Sequence, residues 1–379
     1  VKLGIDCRDL VAGALTGIGR FVGNLLRAVS LEENPPELFL YGNQDTAFDL
    51  PQTWGGPPRA RTRRKSEAAV WWWDRVTLPR MVRRDRLDVF LSPYFKAPGI
   101  RSCPVAVTIH DLLFLRMPPE VSGKNAMYCR AFRSFAASSA RRAAAVFTVS
   151  EHSRRDIVEL LGVPRGKTHV VGNCVGPGFH PLDDEARVAA AKEAVGIDGD
   201  YIFYLGNFGP HKNVDGLLET YARLDAELRD RFRLVLGGRP DKWTPKTRRT
   251  VGRLGLASRV SLPGHIPEEL LPAIYNGAAA FVTLSRWEGF GLPVLEAMAC
   301  GTPVVCSNSA SLPEVAGGAA LLVDADDRAG CAAGLAKALT DDTMRAGLRA
   351  KGPTRAKHFS PARFSRLILK ALGKVIESR

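Results

Sequence analysis

Nowhere in the 379 residues does an uninterrupted apolar run approach the ~18–20 residues of a bilayer-spanning helix, so any membrane contact is expected to be peripheral. The opening VKLGID lacks the basic-then-apolar order of a secretion signal and reads as a first strand, which makes the cytoplasm the expected compartment. No Cys-x-x-Cys pair occurs. The seven cysteines (Cys7, Cys103, Cys129, Cys174, Cys300, Cys306, Cys331) are scattered, which argues against zinc or dithiol chemistry and leaves them as reduced, buried small hydrophobes. Acidic residues are in deficit, 39 against 53 lysines and arginines, so the chain should be drawn to something anionic: nucleic acid, acidic lipid or a phosphorylated substrate. No recognised nucleic-acid-binding motif accompanies that charge, and nucleic acid is set aside.

The surplus is concentrated. Between Arg59 and Arg86 ten basic residues stand against three acids, and the same stretch holds Trp71, Trp72 and Trp73. Arg61, Arg63, Arg64 and Lys65 beside an aromatic cluster suit a headgroup layer or a lipid-linked acceptor. A second reading keeps the tryptophans in a core, because Val70, Trp73, Thr77 and Met81 follow a helical stripe. Pro79 should bend or interrupt that helix.

At this length two domains are expected. Short apolar runs alternate with longer helical patterns: VKLGID, ELFLYG, DVFLSP, PVAVTIH, AAVFTVS and KTHVVG in the first half, YIFYLG, FRLVLGG, RVSLPG, AAFVTLS, TPVVCS and AALLVD in the second. That rhythm predicts two α/β, Rossmann-like, doubly wound parallel sheets. The turn-rich residues 172–185 form the expected hinge, dividing residues 1–175 from 176–357, with the active site in a cleft between the two.

The residues with the most chemistry are Glu288 and Glu296 in SRWEGFGLPVLEAMACGTPVV. The first sits in a loop with Gly289 and Gly291, the second in the helix that should follow. Carboxylates accept from sugar and ribose hydroxyls, and the amides of Phe290, Gly291 and Leu292 at a helix start suit a phosphate. Glutamates at helical spacing are otherwise a solvated face. His110 and Asp111 break abruptly from the strand PVAVTI, and Asp111 either orients the imidazole or caps the next turn. YIFYLGNFGPHKN is a strand and glycine turn leading to Lys212 at an expected helix start, where a lysine and amides can hold a diphosphate. Gly17 and Gly19 in LTGIGRFVGNLL make a weak dinucleotide fingerprint, since the third glycine, Gly23, falls one position late.

The full glutamate string resembles the signature of retaining glycosyltransferases of family 4, which have the GT-B fold, and TIHDLLFL and LGNFGPHKN resemble the same family. The resemblance implies two Rossmann-like domains facing across a cleft, with a last helix, here residues 358–379, packing back on the first. It implies that His110 touches the donor sugar, Glu288 supports charge at the anomeric carbon, Glu296 binds ribose and Lys212 neutralises the leaving diphosphate. A glycine loop at Gly17 and Gly19 would let backbone approach the donor phosphate. An arginine often precedes the lysine in this family, and Asn207 stands there instead, so either His211 or Arg239 is expected to supply the second cation or the leaving group is held with less charge. No metal or other cofactor is expected, because lysine and helix amides supply the positive charge. The subgroup resembled is bacterial and mannosyltransferase-like. Its implied donor is a nucleoside diphosphate hexose, GDP-mannose before UDP-hexose, and its acceptor a glycan or lipid-linked hydroxyl in polysaccharide or lipopolysaccharide synthesis. An inactive sugar-nucleotide-binding scaffold is the alternative.

Overall fold

The computed structural model describes residues 1–11, 16–42, 46, 71–117 and 125–378. The chain divides into two compact units, Val1–Cys174 with Phe359–Arg379, and Val175–His358. Each is built on one six-stranded sheet whose described strand pairings are all parallel.

The first sheet comprises β1 (Lys2–Asp6), β2 (Glu37–Tyr41), β3 (Val89–Ser92), β4 (Val105–Thr108), β5 (Ala145–Thr148) and β6 (Thr168–Val170), in the order β2-β1-β3-β4-β5-β6. The second comprises β7 (Asp200–Leu205), β8 (Phe232–Gly237), β9 (Val260–Gly264), β10 (Ala280–Thr283), β11 (Val304–Ser307) and β12 (Leu321–Val323), in the order β12-β11-β10-β7-β8-β9. All twelve apolar runs picked out above are strands. The central ones read VFLS, VAVT and AVFT with every residue buried, because helices cover both faces of a parallel sheet. Helices begin where a side chain accepts the amide three residues on: Thr16, Ser150, Asp184, Asp327, Asp341 and Ser360 each do so.

Strand order reverses between β1 and β3 in the first sheet and between β7 and β10 in the second. Chain laid down on either side of such a point diverges and leaves a crevice beyond the carboxyl ends of the two strands, where ligands of open parallel sheets bind.

The tryptophan run shows how local geometry divides neighbours. Trp73–Thr77 is a π turn leading into the helix Leu78–Asp85, with Leu78 N–H bonded to Trp73 O. In π geometry the Asp74 carbonyl would pair with residue 79, which is Pro79 and has no amide. Gly99 N–H takes that place at 2.8 Å. Pro79 thus starts the α-helix instead of breaking it. Successive helical residues point about 100° apart, and Trp73 is 2% exposed in the core with Leu78 and Val82 while Trp71 and Trp72 are 60% and 56% exposed. Grouping all three on one outward surface is corrected for Trp73.

Candidate functional site

In the second unit, the loops that leave β7 and β10 meet at the switch point. Arg286 N–H donates to His211 O at 2.8 Å and stitches them together. Lys212 Nζ then lies 2.7 and 2.9 Å from the two carboxylate oxygens of Glu288, each side chain 14% exposed. Lys212 ends a single 3₁₀ turn, Pro210–Lys212, and the α-helix begins only at Val214, after Asn213 in the left-handed region (φ 53°). The expected helix-start lysine therefore stands on the turn before the helix.

Asn207 is a loop brace. Its Oδ1 accepts from Gly209 N–H at 3.0 Å and its carbonyl accepts from Tyr204 Oη at 2.7 Å. The loop crosses the end of β8 so closely that a Cβ on Gly238 would meet Gly206 O at 1.9 Å, which only glycine avoids. His211 is pushed down to about 4, first by burial and then by Lys212 beside it, so at neutral pH it carries no charge. The expectation that His211 supplies a second cation is corrected. Arg239, exposed just beyond β8, has no ion-pair partner among the described residues.

The glutamate loop is shaped by Ser311, whose Oγ lies 2.9 Å from the carbonyls of Glu288 and Phe290. Gly291 caps the helix Leu292–Ala299 at φ 98°, and a Cβ there would strike the Leu312 side chain at 2.5 Å. Among the described residues the amides of Gly291 and Leu292 have no acceptor. Glu288 faces the switch-point loops. Glu296 is 2% exposed and accepts from Tyr275 Oη at 2.9 Å, within the ring cluster of Tyr275, Phe203 and Phe281. Two Asp-x-Asp runs in this unit are engaged with arginines: Asp326 pairs with Arg286, and Asp198 and Asp200 pair with Arg233 and Arg231.

In the first unit His110 follows β4, half-buried. Its Nε2 is 3.1 Å from Pro93 O, and burial pushes its pKa down to about 4. Asp111 Oδ1 accepts from Leu113 N–H at 3.1 Å, so Asp111 caps the next turn. Gly17 opens the helix Gly17–Ser30, where Thr16 Oγ1 accepts from Gly19 N–H. Among the described residues nothing lies within 4 Å of a Cβ placed on Gly17.

Sequence reasoning passed over a polar network at the first sheet's switch point. Arg8, just after β1, holds Asp6 at 2.6 Å and Asp74 at 2.9 Å, with the rings of Trp73 and Tyr94 at 5.9 and 5.7 Å. The signal available was Asp-Cys-Arg-Asp at the end of a strand. Also missed was the helix Ala126–Arg142, which has four arginines and no acid and leaves Met127 (75%), Tyr128 and Phe135 exposed. Arg61, Arg63, Arg64 and Lys65 lie outside the described residues.

Comparison with known proteins follows the same division. The profile of Glycosyl transferases group 1 matches residues 189–355, and that of Glycosyltransferase Family 4 matches residues 15–178. The chain is 32% identical over 360 residues to the O-antigen chain mannosyltransferase B of Escherichia coli, covering 91% of this chain and 93% of that one. It is 26% identical over 219 residues to the alpha-D-kanosaminyltransferase of Streptomyces kanamyceticus, covering 56% and 54%. Among solved structures, Anabaena Alr3699/HepE in complex with UDP-glucose superposes with a TM-score of 0.79 at 16% identity, covering 98% and 99%. Sucrose-phosphate synthase from Thermosynechococcus elongatus gives 0.77 at 19%, covering all of both chains.

Proposed function

The chain belongs to glycosyltransferase family 4 and has the GT-B fold, and from that premise we propose that it moves a hexose, mannose before glucose, from a nucleoside diphosphate sugar to a hydroxyl with retention of configuration. The observation that carries the reading is the Lys212–Glu288 pair at the second sheet's switch point, one cation and one carboxylate on the two loops where a ligand of such a sheet sits. Lys212 and Arg239 hold the diphosphate, aided by the amides of Gly291 and Leu292, and Glu288 supports positive charge growing at the anomeric carbon. Glu296, oriented by Tyr275, receives the ribose hydroxyls. With Glu296 so engaged, the acceptor proton passes to the departing phosphate oxygen and transfer occurs on the face the leaving group vacates. The lysine and amides supply the charge without a metal.

His110, neutral at working pH, contacts the donor sugar, and Gly17 with Gly19 lets backbone approach the donor phosphate. The mannosyltransferase name of the Escherichia coli relative supports GDP-mannose as donor and a growing glycan or lipid-linked sugar as acceptor. Exposed Trp71 and Trp72, and the helix Ala126–Arg142 with four arginines, no acid and Met127 outward, support peripheral docking of the first unit on an anionic bilayer surface.

A thermal-shift panel of GDP-, UDP- and ADP-sugars tests the donor, since a ligand at ~100 times its dissociation constant adds about 2.7 kcal/mol. Transfer assays with the stabilising sugar, with and without lipid-linked glycan, test the activity. No shift with any sugar nucleotide would overturn the donor assignment, and binding with neither hydrolysis nor transfer would overturn the enzymatic one.

A further inference from the structure

His110 is gripped from two sides. Pro93 O can only accept, so its 3.1 Å contact places the imidazole proton on Nε2. That leaves Nδ1 as an acceptor, and no donor among the described residues reaches it. The ring itself meets Phe21 edge to face, with centroids 4.9 Å apart and planes at 86°. Phe21 in turn meets Phe364 edge to face, at 5.2 Å and 81°. Both phenylalanines are buried, at 0% and 2% exposure. Phe21 lies one turn into the helix that Gly17 opens, and Phe364 lies in the first turn of Pro361–Glu377, a helix that packs along Gly17–Ser30 and over β5. Three segments far apart in sequence thus converge on one imidazole.

We propose that Phe21 and Phe364 are positioning residues that hold His110 in a single ring orientation with Nε2 protonated, so that Nδ1 accepts a hydrogen bond from a sugar hydroxyl and the C-terminal helix sets the geometry of the donor-contacting histidine. An imidazole free to flip about Cβ–Cγ would put Cδ2–H where Nδ1 stood and carry Nε2–H away from Pro93 O, losing both the acceptor for the hydroxyl and the contact that fixes the tautomer. Edge-to-face packing on Phe21 blocks that flip, and Phe364 keeps Phe21 from yielding. Only the link from orientation to turnover depends on the proposed contact between His110 and the donor sugar; the brace itself does not.

The test uses the full chain with ¹⁵N-labelled histidine and long-range ¹H–¹⁵N correlation, His110 being assigned by the loss of its signals in His110→Gln. The wild type should show the neutral Nε2–H form at pH 7. Phe364→Leu should still unfold cooperatively and bind donor within about 3-fold, yet show mixed tautomers at His110 and lose about 10- to 100-fold in kcat with little change in KM. Phe364→Tyr, which keeps the ring, should restore both signals and turnover. A wild-type proton on Nδ1 overturns the proposal even if the variants fail to fold, and so does a loss of turnover in Phe364→Leu with the tautomer unchanged. Full activity in His110→Ala would instead refute the donor-sugar role while leaving the tautomer result standing.

Discussion

Lys212 Nζ and Glu288 Oε1 stand 2.7 Å apart although 76 residues separate them in the chain, because β7 and β10 are neighbours in the sheet and their loops exit side by side. Each group is the counterion of the other until a ligand divides them. A diphosphate arriving at Lys212 releases the Glu288 carboxylate toward the sugar, so donor binding and arming of the carboxylate are one event in the proposed mechanism.

Removing one partner should therefore cost twice. Lys212→Ala deletes a charge-assisted contact to the leaving group worth roughly 1.5–3 kcal/mol, hence about 10- to 150-fold in kcat/KM. It also leaves Glu288 without its counterion, and a loss of about 1 kcal/mol in stability is expected. The double variant Lys212→Met/Glu288→Gln should regain that stability without regaining activity. Additive losses of stability in the double-mutant cycle would mean that the pair is not coupled in solution.

The two glutamates should separate kinetically. Glu288→Gln takes a charge from the reacting centre and should lower kcat, whereas Glu296→Gln keeps an acceptor oxygen for Tyr275 and should mainly raise KM for the donor. The reverse pattern would exchange the two roles.

How much of this was legible beforehand depended on range. Fully buried runs such as VFLS and AVFT declare parallel strands by composition alone. The order of those strands does not follow from composition, so Lys212 and Glu288 could each be seen in its own segment while their pairing could not. Asn207 looked like a missing cation because sequence shows residue type and not the Gly209 amide it braces. Asp6, Arg8 and Asp74 escaped notice because the third partner sits 66 residues from Arg8, just after the tryptophan run. The split of Trp73 from Trp71 and Trp72 depends on which helical face meets the sheet, and the buried Leu78 and Val82 set that face.

Acid should weaken the first unit through His110. Its folded pKa lies near 4 and its ordinary value near 6.5, so between those limits the unfolded chain binds a proton that the folded chain does not. The stabilisation is complete above pH 6.5 and is lost as pH falls toward 4, to a total on the order of 3 kcal/mol. His110→Gln should flatten that part of the stability curve when urea midpoints are measured from pH 7 to pH 4. Activity should show no inflection from His110 near pH 6.5 in the wild type, and a titration of its C2 proton centred there would contradict the lowered value.

Metal and stereochemistry give a paired outcome. Turnover should survive EDTA, since Lys212 and backbone amides are assigned the phosphate charge, and NMR of the product should show the donor's anomeric configuration. EDTA sensitivity reversed by Mg²⁺ or Mn²⁺ would remove the first assignment, and an inverted product would remove the second.

Docking on membranes should depend on outward aromatic and basic groups together. Trp71 and Trp72 are exposed, Met127 and Phe135 are exposed among Arg130 and Arg133, and Arg61, Arg63, Arg64 and Lys65 precede the tryptophans in sequence. Each basic residue near an anionic surface contributes about 1 kcal/mol, so a few suffice for peripheral attachment at low salt. The protein should sediment with acidic vesicles and not with neutral ones, and should be released near 1 M salt, where screening falls to ~3 Å. Trp71→Ala/Trp72→Ala should weaken vesicle binding with Tm unchanged, as should glutamine at Arg61, Arg63, Arg64 and Lys65. Trp73→Ala should instead cost about 3–5 kcal/mol of stability, because that ring is in the core. Failure of the wild type to bind acidic vesicles at low salt would overturn the docking proposal and favour a soluble acceptor.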